Sequence, residues 1–213
     1  MNGGLRGPEF DDDDGARWLR ARDIAHRRLE EPEWADVIAG RLADGAIVGV
    51  ARGRMEFGPR ALGARSLLAD PRRADMRDRM NRLVKRREEF RPFAPACLAE
   101  RASEIFELDR ESPYMLLTAQ VREALRATLP AITHVDGSAR VQTVDAERHP
   151  VFHRLLTAFA ARTGCPVLLN TSFNVKDEPI VCTPEDAWRC FSGTDIDVLV
   201  LGSFLIERPA SRV

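Results

Sequence analysis

The segment that decides the architecture runs from residue 46 to residue 70, AIVGVARGRMEFGPRALGARSLLAD. Its first six residues are an apolar run of strand length and predict a buried strand. Its last five, SLLAD, predict a second short strand. Between them Arg52, Arg54, Arg60 and Arg65 alternate with Gly53, Gly58 and Gly63, with Glu56 and Pro59 inside the run. That stretch is too rich in glycine for a helix interior and too charged for a strand core. Glycine lets a backbone approach a phosphate closely, and arginine forks bind phosphate or carboxylate bidentately. The reading is an anion-binding loop between two elements, or else a solvated charge run. Arg52, Arg54 and Arg65 are assigned to structural ion pairing, and Glu56 to orienting an arginine.

Working outward, residues 32–45 (PEWADVIAGRLADG) open with proline and close with glycine, as a helix does. Residues 15–31 predict an earlier helix behind four aspartates, either as its N-terminal caps or as a solvated run. Residues 1–30 are read as a linker or N-terminal extension, and 31–213 as the main domain. Downstream, 71–85 predicts a helix, and 87–98 an extended segment held by Pro92 and Pro95. Helices are expected in 99–108 and 118–129, and a strand in 139–144. Residues 149–164 predict an amphipathic helix ending at Gly164, followed by a strand over 165–170. Thr183 and Pro184 start another helix, and 195–207 gives one or two closing strands. The expected fold is α+β with α/β-type layers, a mixed sheet under helical cover.

Of the charged residues, 32 are basic and 33 acidic, so the net charge of −1 provides no global attraction to nucleic acid or anionic membrane. The four cysteines form no CxxC pair, which argues against a zinc or thioredoxin-like site. No signal peptide or membrane-length apolar run is present, and a cytoplasmic location is expected.

Three further segments carry chemistry. In residues 81–95 (NRLVKRREEFRPFAP), Lys85, Arg87 and Arg91 crowd together where a helix should end, and Pro92 and Pro95 restrict their directions. Lys85 is one of only two lysines in the chain. This cluster is either half of a polyanion site or a solvated face. In 168–179 (LLNTSFNVKDEP) an apolar strand empties into Asn170, Thr171, Ser172 and Asn174. Ligands gather beyond the carboxyl ends of such strands, and these side chains suit phosphate or ribose oxygens; a self-stabilising turn is the alternative. In 133–144 (THVDGSARVQTV), Asp136-Gly137 signals a turn and Arg140 begins a strand. No GxxxxGK[ST] or GxGxxG loop is present, so a bound nucleotide would be held by arginines and polar side chains.

Together these segments resemble the C-terminal domain of the O-carbamoyltransferase family, which includes the nodulation protein U type and the antibiotic carbamoyltransferases. The matching motifs run from about residue 47 to residue 207. The resemblance implies a YrdC-like fold, a twisted mixed β-sheet flanked by helices. It also implies use of carbamoyl phosphate and ATP, with Mg2+, to form a carbamoyl adenylate for transfer to a hydroxylated small-molecule acceptor. Lys85, Arg60 and Arg91 would then be catalytic. Arg140, Asn170, Ser172, Asn174 and Arg87 would bind substrate and nucleotide. Magnesium would ride on the phosphates, largely water-ligated. The family's N-terminal actin-like domain, which carries the acceptor site, has no counterpart in these residues, so a separate domain or subunit is an expected partner. The reading from a different class is a non-catalytic nucleotide- or RNA-binding module, or a partner subunit. The aromatic content of 7% weighs against RNA, whose bases need stacking partners.

Overall fold

Nine strands join in one mixed sheet in the computed structural model, which describes residues 4–85 and 92–208. The chain opens with strand β1 (Leu5–Phe10), helix α1 (Asp12–Arg20), β2 (Arg27–Arg28), α2 (Glu31–Ala43), β3 (Val48–Ala51), β4 (Gly53–Glu56) and β5 (Arg65–Ala69). Then follow α3 (Met76–Arg79), β6 (Ala94–Leu98), α4 (Ala102–Ile105), β7 (Leu117–Gln120), α5 (Glu123–Arg126) and β8 (Ser138–Val144). The last elements are α6 (Pro150–Thr163), β9 (Val167–Ser172), α7 (Pro184–Ser192), β10 (Val198–Leu201) and β11 (Phe204–Glu207). The sheet order is β2-β11-β10-β3-β5-β9-β6-β8-β7, and β1 pairs with β4 outside it. The pairs β10/β3 and β6/β8 are parallel, and the remaining pairs are antiparallel.

Strands β3 and β10 are apolar throughout because each buries both faces. On β9, Val167 and Leu169 face one core while Leu168 faces the other. The second core receives Trp34, Ile38 and Leu42 from α2, and Phe152, Leu155, Leu156 and Phe159 from α6. Each such side chain contributes roughly 1.5–3 kcal/mol on burial. The first core receives Leu19 of α1, Met76 and Met80, and Ala187, Cys190 and Phe191 of α7. Helix α6 ends at Gly164 in the left-handed region (φ 74°), and Thr183 caps α7 in a reciprocal capping box with Asp186.

From residue 5 the N-terminal extension builds β1, α1 and β2, and Leu19 is fully buried against the sheet. Three expectations need correction. Asp11 caps α1 in a capping box with Asp14, so the aspartate run does start a helix, but that helix stops at Arg20. The helix expected over 71–85 is only one turn of α-helix, α3, which widens into a π-helical turn, Met80–Lys85. Residues 118–120, expected as helical, instead form part of edge strand β7, where pairing to β8 overrides local propensity.

Candidate functional site

The loop between β4 and β5 is built around one carboxylate. Glu56, buried at 4% exposure, accepts hydrogen bonds at Oε1 from the backbone N–H of Leu62 (2.6 Å) and of Ala64 (2.7 Å). It therefore folds the backbone and does not orient an arginine side chain, as the sequence had suggested. Gly63 sits at φ 119°, and a Cβ there would stand 2.5 Å from the ring of Phe152. That position requires glycine on both conformational and steric grounds. Arg52 pairs with Glu31 and Arg54 with Glu9, as expected. Arg65 does not ion-pair. Fully buried, it donates to the carbonyls of Arg52, Gly53, Ala64 and Cys182, and lies over the ring of Phe10. Burial lowers its pKa from the ordinary arginine value.

The loop presents Pro59, Arg60 and Ala61 to a polar cleft of about 140 Å³, which is also lined by Phe93, Met115, Arg140 and residues 170–172. The cleft therefore brings together four of the expected ligands, Arg60, Arg140, Asn170 and Ser172, from three distant segments. Burial, and then the positive charge of Arg60, hold the Arg140 guanidinium below its ordinary pKa. Among the described residues no carboxylate pairs with either arginine. Arg140 Nε is buried without a hydrogen-bond partner. Two guanidinium groups facing one cleft, with no countercharge among the described residues, give it a positive potential.

Lys85 and Asn174 lie one layer behind. The π-helical turn carries Lys85 inward to 3% exposure, a local widening of the kind that recurs at functional sites. Its ammonium donates to the carbonyls of Ser172 and Asn174, to Asn174 Oδ1 (2.7 Å) and to Ser172 Oγ (3.3 Å). Ser172 Oγ also donates to Asn174 Oδ1 at 2.7 Å. Lys85 thus reaches the cleft through Ser172. Arg87 and Arg91 lie outside the described residues.

Sequence reasoning missed Gln142. It is fully buried on β8, donates to Leu62 O at 2.9 Å and accepts from Asn170 Nδ2 at 2.7 Å. A polar residue at a core position of an alternating strand was the available signal. Asn170 Nδ2 also donates to Ala61 O, while its Oδ1 is buried without a partner. Asp136 holds its turn by accepting from Ser138 N–H and Oγ, as the Asp-Gly signal implied. No group of three or more His, Cys, Asp or Glu placed to hold a metal occurs among the described residues. No helix of the described residues is long and apolar enough to cross a membrane.

Residues 39–208 match the family model described as Carbamoyltransferase C-terminus. Nodulation protein NolO of Bradyrhizobium diazoefficiens is 53% identical over 83% of this chain and 33% of its own length. The 3'-hydroxymethylcephem-O-carbamoyltransferase of Amycolatopsis lactamdurans is 44% identical over 92% of this chain and 35% of its own length. The chain thus spans about a third of these relatives. Among solved structures, full-length HypF in its phosphate- and nucleotide-bound form aligns with TM-score 0.55 and 19% identity, over 78% of this chain and 20% of that one. A variant of P. abyssi Sua5 aligns with TM-score 0.54 and 14% identity, over 83% of this chain and 50% of that one. These two likenesses establish the YrdC-like fold, a mixed sheet flanked by helices.

Proposed function

The chain belongs to the O-carbamoyltransferase family as its C-terminal domain, and on that premise we propose that its cleft binds carbamoyl phosphate and ATP and forms a carbamoyl adenylate. The observation that carries this reading is the pairing of Arg60 and Arg140 across one cleft without a carboxylate between them. Bringing two phosphorylated reactants together concentrates negative charge, and fixed guanidinium groups offset it while aligning in-line attack. Water first cleaves carbamoyl phosphate to carbamate and inorganic phosphate; a carbamate oxygen then attacks the α-phosphorus of ATP, and pyrophosphate leaves as the bond between the α-phosphorus and the bridging oxygen breaks. No nucleophilic side chain is required, and the cleft presents none in an activated arrangement.

Each residue has a defined part in this proposal. Arg60, on an exposed loop braced by Glu56, clamps the incoming phosphates. Arg140 binds from the sheet. Ser172 offers its hydroxyl from the end of β9, and Lys85 fixes the 172–174 turn while adding positive charge beneath it. Arg87 and Arg91 belong to the same basic segment and are assigned to the phosphates on the family resemblance. Among the described residues the cleft lining includes no carboxylate, and magnesium would enter on the nucleotide phosphates, where it supplies charge neutralisation. The bound state of HypF, named for phosphate and nucleotide, supports the same ligand class on this fold.

The acceptor is a hydroxylated small molecule, by analogy with the cephem enzyme whose name states one. It would be held by an actin-like domain outside this chain, which covers about a third of its relatives. Calorimetric titration with ATP and with carbamoyl phosphate tests the site. Arg60→Ala is expected to weaken both ligands while leaving thermal stability near wild type. Unchanged affinity in that variant would refute the assignment.

A further inference from the structure

The same loop that lines the polar cleft with residues 59–61 turns Gly63 and Ala64 toward a second cavity of about 200 Å³ on the helical face of the sheet. Its walls are apolar: Trp34 of α2, Val50 of β3, Leu68 of β5, and Phe152 and Leu155 of α6. It is a half-open pocket that a small ligand could enter from solvent. Two guanidinium groups line it, Arg54, which is paired with Glu9, and Arg52. Arg52 stacks over the Trp34 ring at 4.8 Å, and its Nη1 is buried with no hydrogen-bond partner. A buried donor without an acceptor costs the full desolvation of that group, so this one calls for a partner.

Two further features set the sign of that partner. Glu31 is shared between Arg52 and Arg154, so two guanidinium groups meet one carboxylate at the rim. The first turn of the 14-residue helix α6 lines the cavity with Pro150, Val151 and Phe152. N–H groups in a first turn have no intrahelical acceptor, and the helix dipole there favours negative charge.

We propose that this cavity is a binding site for a small monocarboxylate with an apolar body, its head on Arg52 and its tail against Val50, Leu68 and Leu155. It is distinct from the Arg60–Arg140 cleft, and neither the family resemblance nor the proposed reaction uses it.

Calorimetric titration of the full chain with hexanoate, and with hexan-1-ol as its neutral counterpart, tests the site. Hexanoate is expected to bind saturably at one site, at least about tenfold tighter than hexan-1-ol, a gap typical of one charge-assisted hydrogen bond. Saturating inorganic phosphate, which fills the other cleft, should leave it bound. Arg52→Gln should erase the preference for the acid, and Val50→Phe, which fills the cavity, should abolish binding of both. Circular dichroism confirms that each variant is folded, and Val50→Phe decides alone if Arg52→Gln is not. Absence of saturable hexanoate binding, equal affinity for the alcohol, displacement by phosphate, or unimpaired binding in folded Val50→Phe would each overturn the proposal.

Discussion

Gln142 Oε1 accepts a 2.7 Å hydrogen bond from Asn170 Nδ2, although their strands, β8 and β9, are not neighbours. Strand β6 lies between them and presents Ala94 opposite Asn170 and Ala96 opposite Gln142. Two small side chains on one face of β6 leave the space over which the two amides meet. Both amides also hold the anion loop, at the carbonyls of Ala61 and Leu62. The pair therefore ties the loop that carries Arg60 to the floor of the cleft. A double-mutant cycle over Gln142→Ala and Asn170→Ala is expected to show a coupling of about 1–2 kcal/mol in chemical denaturation, as for residues in one hydrogen-bond network. Strict additivity would mean that the two side chains act independently.

Among the described residues Arg140 faces Arg60 without a countercharge, and in the proposed anion site that repulsion would cost stability while no ligand is bound. Arg140→Met removes the repulsion and keeps the apolar length of the side chain. It is expected to raise ligand-free stability by roughly 0.5–1 kcal/mol, while stabilisation of the protein by added inorganic phosphate disappears. Thermal melts with and without phosphate make the measurement.

Glu56 separates a backbone role from a charge role. Glu56→Gln retains an acceptor for the Leu62 and Ala64 amides, whereas Glu56→Ala leaves them buried and unmet. The alanine variant is expected to lose about 2–3 kcal/mol more than the glutamine variant, in keeping with buried hydrogen bonds to a charged acceptor. It should also bind phosphate more weakly, because Arg60 rides on that loop. Equal losses in both variants would assign Glu56 a purely electrostatic role.

Burial disfavours the charged form of Asp186, yet hydrogen bonds from Thr183 and Cys182 outweigh it and hold this carboxyl below the usual aspartate value. A depressed folded pKa adds stability that is present above the unfolded value, about 3.9, and lost as pH falls through the folded one. Asp186→Asn is therefore expected to be less stable than wild type near neutrality, with the gap narrowing once the pH drops below that of an ordinary aspartate. Urea midpoints across an acid pH series report it.

The parts of this molecule that were legible in the sequence are those where local chemistry and tertiary context agree. The apolar runs of β3 and β9 are buried on both faces, and Thr183-Pro184 and Gly164 end their helices as their residue types require. Arg60, Arg140, Asn170 and Ser172 stood out because polar groups follow turn or strand-end signals, and the fold collects them into one cleft. Other features were hidden by long-range pairing. Leu19 sits in a polar, arginine-rich segment whose burial depends on α7 and β11, far along the chain. Arg65 reads as an ion-pairing residue until its five hydrogen bonds to the carbonyls of Arg52, Gly53, Ala64 and Cys182 are seen. The π-helical turn that delivers Lys85 has no local signature at all, since its geometry is secured by the 172–174 turn that the lysine bonds.

The central claim is that this domain activates a carbamoyl group on ATP, and pyrophosphate release measures it most directly. The full chain is incubated with ATP, magnesium and carbamoyl phosphate, and pyrophosphate is followed with and without the carbamoyl donor. The account predicts donor-dependent release that falls by about two to three orders of magnitude in Arg60→Ala, the usual effect of deleting one transition-state donor, and that falls also in Lys85→Ala, which unfastens the 172–174 turn behind the cleft. A chain that binds both ligands yet releases no donor-dependent pyrophosphate, or variants as active as wild type, would contradict it.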